Sequence, residues 1–185
     1  MMRKNRYHVT FEETTFFGLL KILKADELKN WSFYLSFLFT FCIFVLIVLN
    51  NNFIIITNLL AEKLAVALLG ASASILAIDL AGLAITVAIF RPPLLPRMLE
   101  TKLLHRLLFP FWFSAAWWSI SIFLCIILIL LEVLGKKILI SSLLLVEVFV
   151  FLFSTFYTVS LTGVIVRLAL QTAQVYEREN SDSSD

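Results

Sequence analysis

Four long apolar runs dominate the chain. The first, Trp31 to Leu49, reads WSFYLSFLFTFCIFVLIVL and carries no charge. The second, Leu64 to Phe90, holds one, Asp79. The third runs from about Leu107 to Leu134 with Glu132 near its end, and the fourth from about Ile138 to Leu170, with Glu147 inside and Arg167 near its end. A helix of about 20 apolar residues crosses the roughly 30 Å of a bilayer's hydrocarbon, so each run is long enough to span. Lipid offers no hydrogen bonds, which leaves helices or closed barrels. Barrel strands alternate apolar and polar residues, and these runs are continuous. The pattern predicts an all-α fold, a four-helix transmembrane bundle over residues 31–170.

Basic residues fix the orientation. The leader holds Arg3, Lys4, Arg6, Lys21, Lys24 and Lys29; the loop between runs two and three holds Arg91, Arg97, Lys102 and Arg106; Arg167 and Arg178 close the chain. The other two loops carry only Lys63, Lys136 and Lys137. Lys and Arg accumulate on the cytoplasmic side, so both termini of a multi-pass chain are expected there. Trp31 opens the first run, and Trp112, Trp117 and Trp118 fall early in the third. Indoles favour the headgroup level, and helix packing is the rival reading for the cluster.

Outside the runs, residues 12–29 (EETTFFGLLKILKADELK) repeat Phe16, Leu19, Leu20, Leu23 and Leu28 at helical spacing. With acids first and lysines later, this is an N-terminal amphipathic helix lying on the inner leaflet. It serves either as an anchor for the bundle or as a docking surface for a cytoplasmic protein. The outer loop, NNNFIIITNLLAEK, is apolar enough to dip into the interface as a turn. Arg91-Pro92-Pro93-Leu94-Leu95-Pro96 must end the second helix, because proline lacks an amide hydrogen and clashes with the preceding turn. A helix can restart over residues 97–108, and Pro110 stands where the third helix would kink. The acidic tail, within residues 171–185, reads as disordered. These boundaries divide the chain into a leader (1–30), a bundle (31–170) and a tail.

Composition agrees. The chain has 185 residues, 61% hydrophobic and 15% charged, where soluble domains are nearer half and a quarter. A net charge of +2, without a basic patch, gives no reason to expect direct nucleic-acid binding. No cleavable signal is visible in the charged first thirty residues, so the first span serves as the insertion signal. The sequon Asn30-Trp31-Ser32 falls on the cytoplasmic side and reads as chance. Cys42 and Cys125 lie in apolar runs and read as buried hydrophobes.

The polar residues inside the spans are where function is sought. An acid at a helix centre costs about 2.5–3.5 kcal/mol on insertion scales and usually faces the bundle interior. Asp79 and Glu147 are deep; Glu132 is near an end and can snorkel. In the second run Ser72, Asp79, Gly82 and Thr86 share a face; in the third Ser114, Ser121, Cys125 and Glu132; in the fourth Glu147, Phe151, Ser154, Thr158 and Thr162. Such stripes can meet inside a bundle. With no Lys or Arg at that depth, at least one carboxyl is expected to be neutral and hydrogen-bonded to Ser or Thr. The second run also carries small residues, Ala67, Gly70 and Ser74 on one line and Ala73, Ala77 and Ala81 on another. Small residues let helices approach closely in lipid, so this run is expected to be the most buried. The carboxyls read either as glue between helices or subunits, as a proton or ion path, or as the lining of a water-filled cavity.

No catalytic or metal-binding motif is apparent. His8 and His105 are isolated, the five glycines are scattered, and there is no HExxH, CxxC or GxSxG. Neither an enzyme nor a cofactor is expected.

The order of parts is a basic leader, a Phe-rich first span, an Ala/Ser-rich second ending ITVAIFRPPLLPRMLE, an aromatic third (FPFWFSAAWWSISIF) and a Phe-rich fourth. This resembles small four-helix inner-membrane proteins of bacterial phage-defence loci, such as the membrane subunits of Kiwa systems. The likeness covers most of the chain, rests on no diagnostic motif and transfers no functional residue. It implies a homo-oligomer that recruits a cytoplasmic effector and responds to disturbance of the envelope. Three functions remain open from the sequence. They are a non-catalytic membrane subunit that oligomerises and holds or regulates a cytoplasmic partner in antiviral defence, a small oligomeric channel lined by Asp79, Glu147 and the Ser/Thr stripes, and a proton-coupled carrier. The carrier ranks last, since no inverted repeat is evident.

Overall fold

A computed structural model describes the backbone of residues 31–49, 53–89 and 103–182, and the side chains of 31–49, 53–88, 108–163 and 165–166. The leader, where an amphipathic helix is expected over residues 12–29, and the Arg91–Pro96 segment lie outside the described residues. Among those described, the fold is all-helical: α1 (Trp31–Val48), α2 (Phe53–Ile89), α3 (Leu103–Val133) and α4 (Lys137–Asp182). Each is long and apolar enough to cross a membrane, with mean hydropathy between 2.1 and 2.4 in its spanning stretch.

Helix α2 begins at Phe53, where the apolar outer loop was read as an interfacial turn. Residues 53–69 hold no Gly or Pro to break a helix. Ala61 and Ala65 are fully buried in a cluster with Leu128, Ile140 and Leu144, so tertiary packing draws this stretch into α2. The charged pair Glu62–Lys63, which hid that continuity in the sequence, is exposed on the helix surface. Helix α3 runs unbroken through Pro110. It closes on Gly135 at φ 66°, a left-handed position that suits glycine. There the Gly135 amide donates to the Glu132 carbonyl (3.0 Å) and Lys136 to Leu131 (3.2 Å). That pairing is a Schellman cap, which satisfies the orphan carbonyls and turns the chain directly into α4. Helix α4 continues to Asp182 where a disordered tail was expected. Beyond Gly163 it meets no Gly or Pro, and its Leu, Ala, Gln, Glu and Arg are good helix formers.

Helices α2, α3 and α4 pack against one another, and α1 lies outside them, chiefly against α4. The α1–α4 contact is aromatic: Phe33 meets Phe149 and Phe153 with ring centroids 5.6 and 6.3 Å apart, and Phe39 meets Phe156 at 5.8 Å. One line of buried positions is Phe111, Ser114, Trp118, Ser121, Cys125 and Leu128 on α3 and Ile140, Leu144, Glu147, Ser154 and Leu161 on α4; Phe109 and Phe113 of α3 and Ser141, Val150, Phe153 and Tyr157 of α4 are buried beside it. Alternating steps of three and four make a 3.5-residue repeat, the seam of left-handed coiled coils.

This arrangement corrects two expectations. Within one chain α4 is the most buried span, with 39% of an 18-residue spanning stretch buried against 17% in α2. The small residues of α2 allow a close approach, but α2 scarcely meets α1, whereas α4 packs substantially against all three other helices. Trp118 does not face outward as a belt indole would: it is completely buried, with its ring 5.5 Å from Phe151, because its position falls on the α3 seam. Trp117 packs half-buried on the cluster of Phe109, Phe113, Phe153 and Tyr157, whereas Trp112 and Trp31 are exposed.

Candidate functional site

The seam of the three-helix core is apolar except at three levels. At the middle level α2 gives Ser72, α3 gives Ser121 and Cys125, and α4 gives Glu147. Ser121 of α3 donates its hydroxyl proton to Glu147 Oε1 at 2.6 Å, and the Cys125 thiol donates to the same oxygen at 3.3 Å. Ser72 of α2 lies 2.9 Å from Ser121 Oγ. A serine hydroxyl has one proton, and Ser121 gives it to Glu147, so Ser72 is the donor in that pair. Ser72, Ser121 and Glu147 are all completely buried. Glu147 Oε2 is buried too and has no hydrogen-bond partner among the described residues.

The next level lies one heptad along α2 and α3, about 10 Å away at 1.5 Å per residue. Ser114 donates to Asp79 Oδ2, and Ser114 Oγ lies 3.1 Å from Thr158 Oγ1 of α4. Trp118 Nε1 donates to Thr158 at 2.9 Å, and Thr158 donates to the Ser154 carbonyl at 2.9 Å. With the Ser114 proton committed to Asp79, Thr158 shares its own between Ser114 Oγ and the Ser154 carbonyl. Each buried acid thus sits in a layer to which all three helices contribute, and each is answered by a serine of α3.

The third level is near the α1–α2 and α3–α4 turns. Thr57 and Ser141 hydroxyls lie 2.5 Å apart, tying α2 to α4. Asn58 Nδ2 donates to the Ile54 carbonyl at 2.5 Å and reaches the Lys137 carbonyl at 3.4 Å. Between this level and the Glu147 layer stands the apolar plug of Ala61, Ala65, Leu128, Ile140 and Leu144.

The structure brings together Asp79, Glu147, Ser72, Ser121, Ser154 and Thr158 from the residues singled out in the sequence. It leaves others apart. Glu132 is exposed near the α3–α4 turn. Ser74 is exposed and bonded to its own helix at the Gly70 carbonyl (2.8 Å); Thr86 bonds to the Gly82 carbonyl (2.8 Å). Gly82 does permit a close approach, since a Cβ there would lie 3.4 Å from Phe111 Cε1. Gly70 has open space beside it, and Ala73, Ala77 and Ala81 are exposed, so this small-residue face of α2 points away from the single chain's core. The sequence gives no signal for Thr57 and Ser141, places Ser114 on the inward stripe with Ser121, and leaves Trp118 between a headgroup-level and a packing role. A 3.5-residue count along α3 picks out Ser114 and Trp118; Ser141 stands one residue off the α4 seam, and Thr57 falls in a segment whose sequence reads as loop.

Two apolar hollows flank α1. The larger, about 280 Å³, is lined by Ile43 and Ile47 of α1, Leu60, Leu64 and Leu68 of α2, and residues of α4 from Leu144 to Leu152. The smaller, about 180 Å³, is lined by Phe37, Thr40, Phe41, Phe44 and Leu145. Among the described residues no three of His, Cys, Asp and Glu gather as metal ligands.

No family model, no curated protein and no solved structure matches this chain.

Proposed function

We propose that the chain is a non-catalytic, four-span subunit of a bacterial inner membrane, with both termini cytoplasmic, that oligomerises and anchors or regulates a cytoplasmic protein. The observation that carries this is the use made of the two deep carboxyls. Asp79 and Glu147 are each engaged by hydroxyls from neighbouring helices of the same chain, in layers sealed on the seam. Interhelical hydrogen bonds of this kind hold helices together in lipid. One oxygen of each carboxyl is thus used in tying helices together, which supports a scaffold.

The outward face of α2, with Gly70, Ala73, Ser74, Ala77 and Ala81, supports contact between copies. The uneven distribution of Lys and Arg supports the orientation. The amphipathic segment 12–29 and the resemblance to phage-defence membrane proteins support a cytoplasmic defence effector as the partner.

A channel lined by Asp79 and Glu147 is the competing reading. It has less support, because the apolar plug of Ala61, Ala65, Leu128, Ile140 and Leu144 interrupts the polar levels within a chain. Purification in mild detergent tests the proposal: an oligomer with a co-purifying cytoplasmic protein is expected. A monomer with nothing bound would contradict it, and steady conductance in planar bilayers, altered by Asp79→Asn, would favour the channel.

A further inference from the structure

We propose that the crevice between α1, α2 and α4 is a binding site for one membrane phospholipid, with an acyl chain in the crevice and the headgroup phosphate held by Lys63. The proposal rests on the membrane reading above. Helix α1 lies against α4 and scarcely touches α2, and the gap so formed is the hollow of about 280 Å³. Every residue lining it is apolar, from Ile43 and Ile47 on one wall through Leu64 and Leu68 on another to Val148 and Phe151 at the back. Such a lining offers a polar ligand nothing and suits a hydrocarbon chain.

The rim supplies the charge. Lys63 is three residues after Leu60 and one before Leu64, both of which line the crevice, and residues three apart are neighbours on a helix surface. Lys63 is exposed and forms no ion pair among the described residues. A helical side chain leans toward its own helix's N-terminus, here the end beside the α1–α2 turn. The ammonium thus reaches toward the headgroup level while its stem stays against apolar surface. Glu62, also exposed, is displaced about 100° around the helix from Lys63 and lies farther than Lys63 from the Leu60–Leu64 face. An anionic phosphate above a buried acyl chain complements both features.

Native mass spectrometry of the detergent-purified protein, delipidated and then titrated with phosphatidylglycerol, tests this. The wild type should retain one phospholipid that resists delipidation. Leu64→Trp with Leu68→Phe fills the crevice from α2 and should abolish that retention; Ile43→Trp fills it from α1 should the first variant fail to fold. Lys63→Gln should weaken phosphatidylglycerol binding about fivefold, the effect of one Lys near an anionic surface. Retention of the lipid by a folded crevice-filled variant, or unchanged affinity in Lys63→Gln, would overturn the proposal. A polypeptide that stays dissolved without detergent would instead refute the membrane reading, before any lipid is added.

Discussion

Ser121→Ala is the substitution that most sharply probes the polar layers. The Ser121 hydroxyl accepts from Ser72 and donates to Glu147 Oε1, at 2.9 and 2.6 Å, with no exposure of any of the three. Removing it strands a buried donor on α2 and leaves Glu147 Oε1 with only the Cys125 thiol. A buried polar group left without a partner costs about 1–3 kcal/mol. Interhelical bonds measured in a bilayer average about 0.6 and reach about 1.7 kcal/mol. Two such losses give an expected destabilisation of about 2 kcal/mol. Ser119→Ala is the control. The Ser119 hydroxyl bonds only to the Ala115 carbonyl of its own helix, at 2.8 Å, so its loss should cost about 0.5 kcal/mol or less. Ser72→Ala removes one end of the chain and should cost about 1 kcal/mol. Because Ser72 acts through Ser121, the double variant should be little worse than Ser121→Ala alone. Reversible unfolding in mixed micelles with increasing SDS measures all four. Equal losses for Ser121→Ala and Ser119→Ala, or additive losses for Ser72 and Ser121, would refute the layered network.

The remaining predictions follow the same geometry. Trp118→Phe keeps most of the buried ring but deletes the Nε1 donor to Thr158, and should cost about 1 kcal/mol in the same unfolding assay; Trp118→Ala should cost about 3–5 kcal/mol. Gly135→Ala forces a methyl group onto a φ of 66° and should destabilise the α3–α4 turn by about 1 kcal/mol, measured as a lower unfolding midpoint. Gly70→Leu points into open space and should leave the stability of one chain unchanged while abolishing the oligomer in size-exclusion chromatography. Gly82→Leu, beside Phe111 at 3.4 Å, should instead destabilise the fold itself, by about 1–3 kcal/mol.

The four spans were legible because apolar length alone identifies them. The register of the polar layers was legible in part. Where a Ser, Asp or Glu interrupts an apolar run, it marks the inward face, so the stripes through Ser72 and Asp79, Ser114 and Ser121, and Glu147 and Thr158 could be written down. Apolar positions carried no such mark, since core and lipid select the same side chains. That is why Trp118 resembled a headgroup-level indole and why the peripheral place of α1 could not be read. The small residues of α2 signalled a close approach without naming the neighbour. Gly82 found it in Phe111, whereas Gly70, Ala73, Ala77 and Ala81 face away from their own chain. The start of α2 was hidden by Glu62 and Lys63, whose charges truncate the apolar run although both are accommodated on an exposed helix face.

The proposed membrane topology of the four helices is tested most directly by thiol labelling of intact cells. With Cys42 and Cys125 replaced by alanine, a single cysteine is placed at Lys136, in the α3–α4 turn, or at Ser184, near the C-terminus. A membrane-impermeant maleimide should modify the Lys136→Cys protein in cells whose inner membrane is intact, and the Ser184→Cys protein only after that membrane is permeabilised. Labelling of both positions from outside, or recovery of the unlabelled chain in the soluble fraction, would contradict a four-span chain with both ends in the cytoplasm.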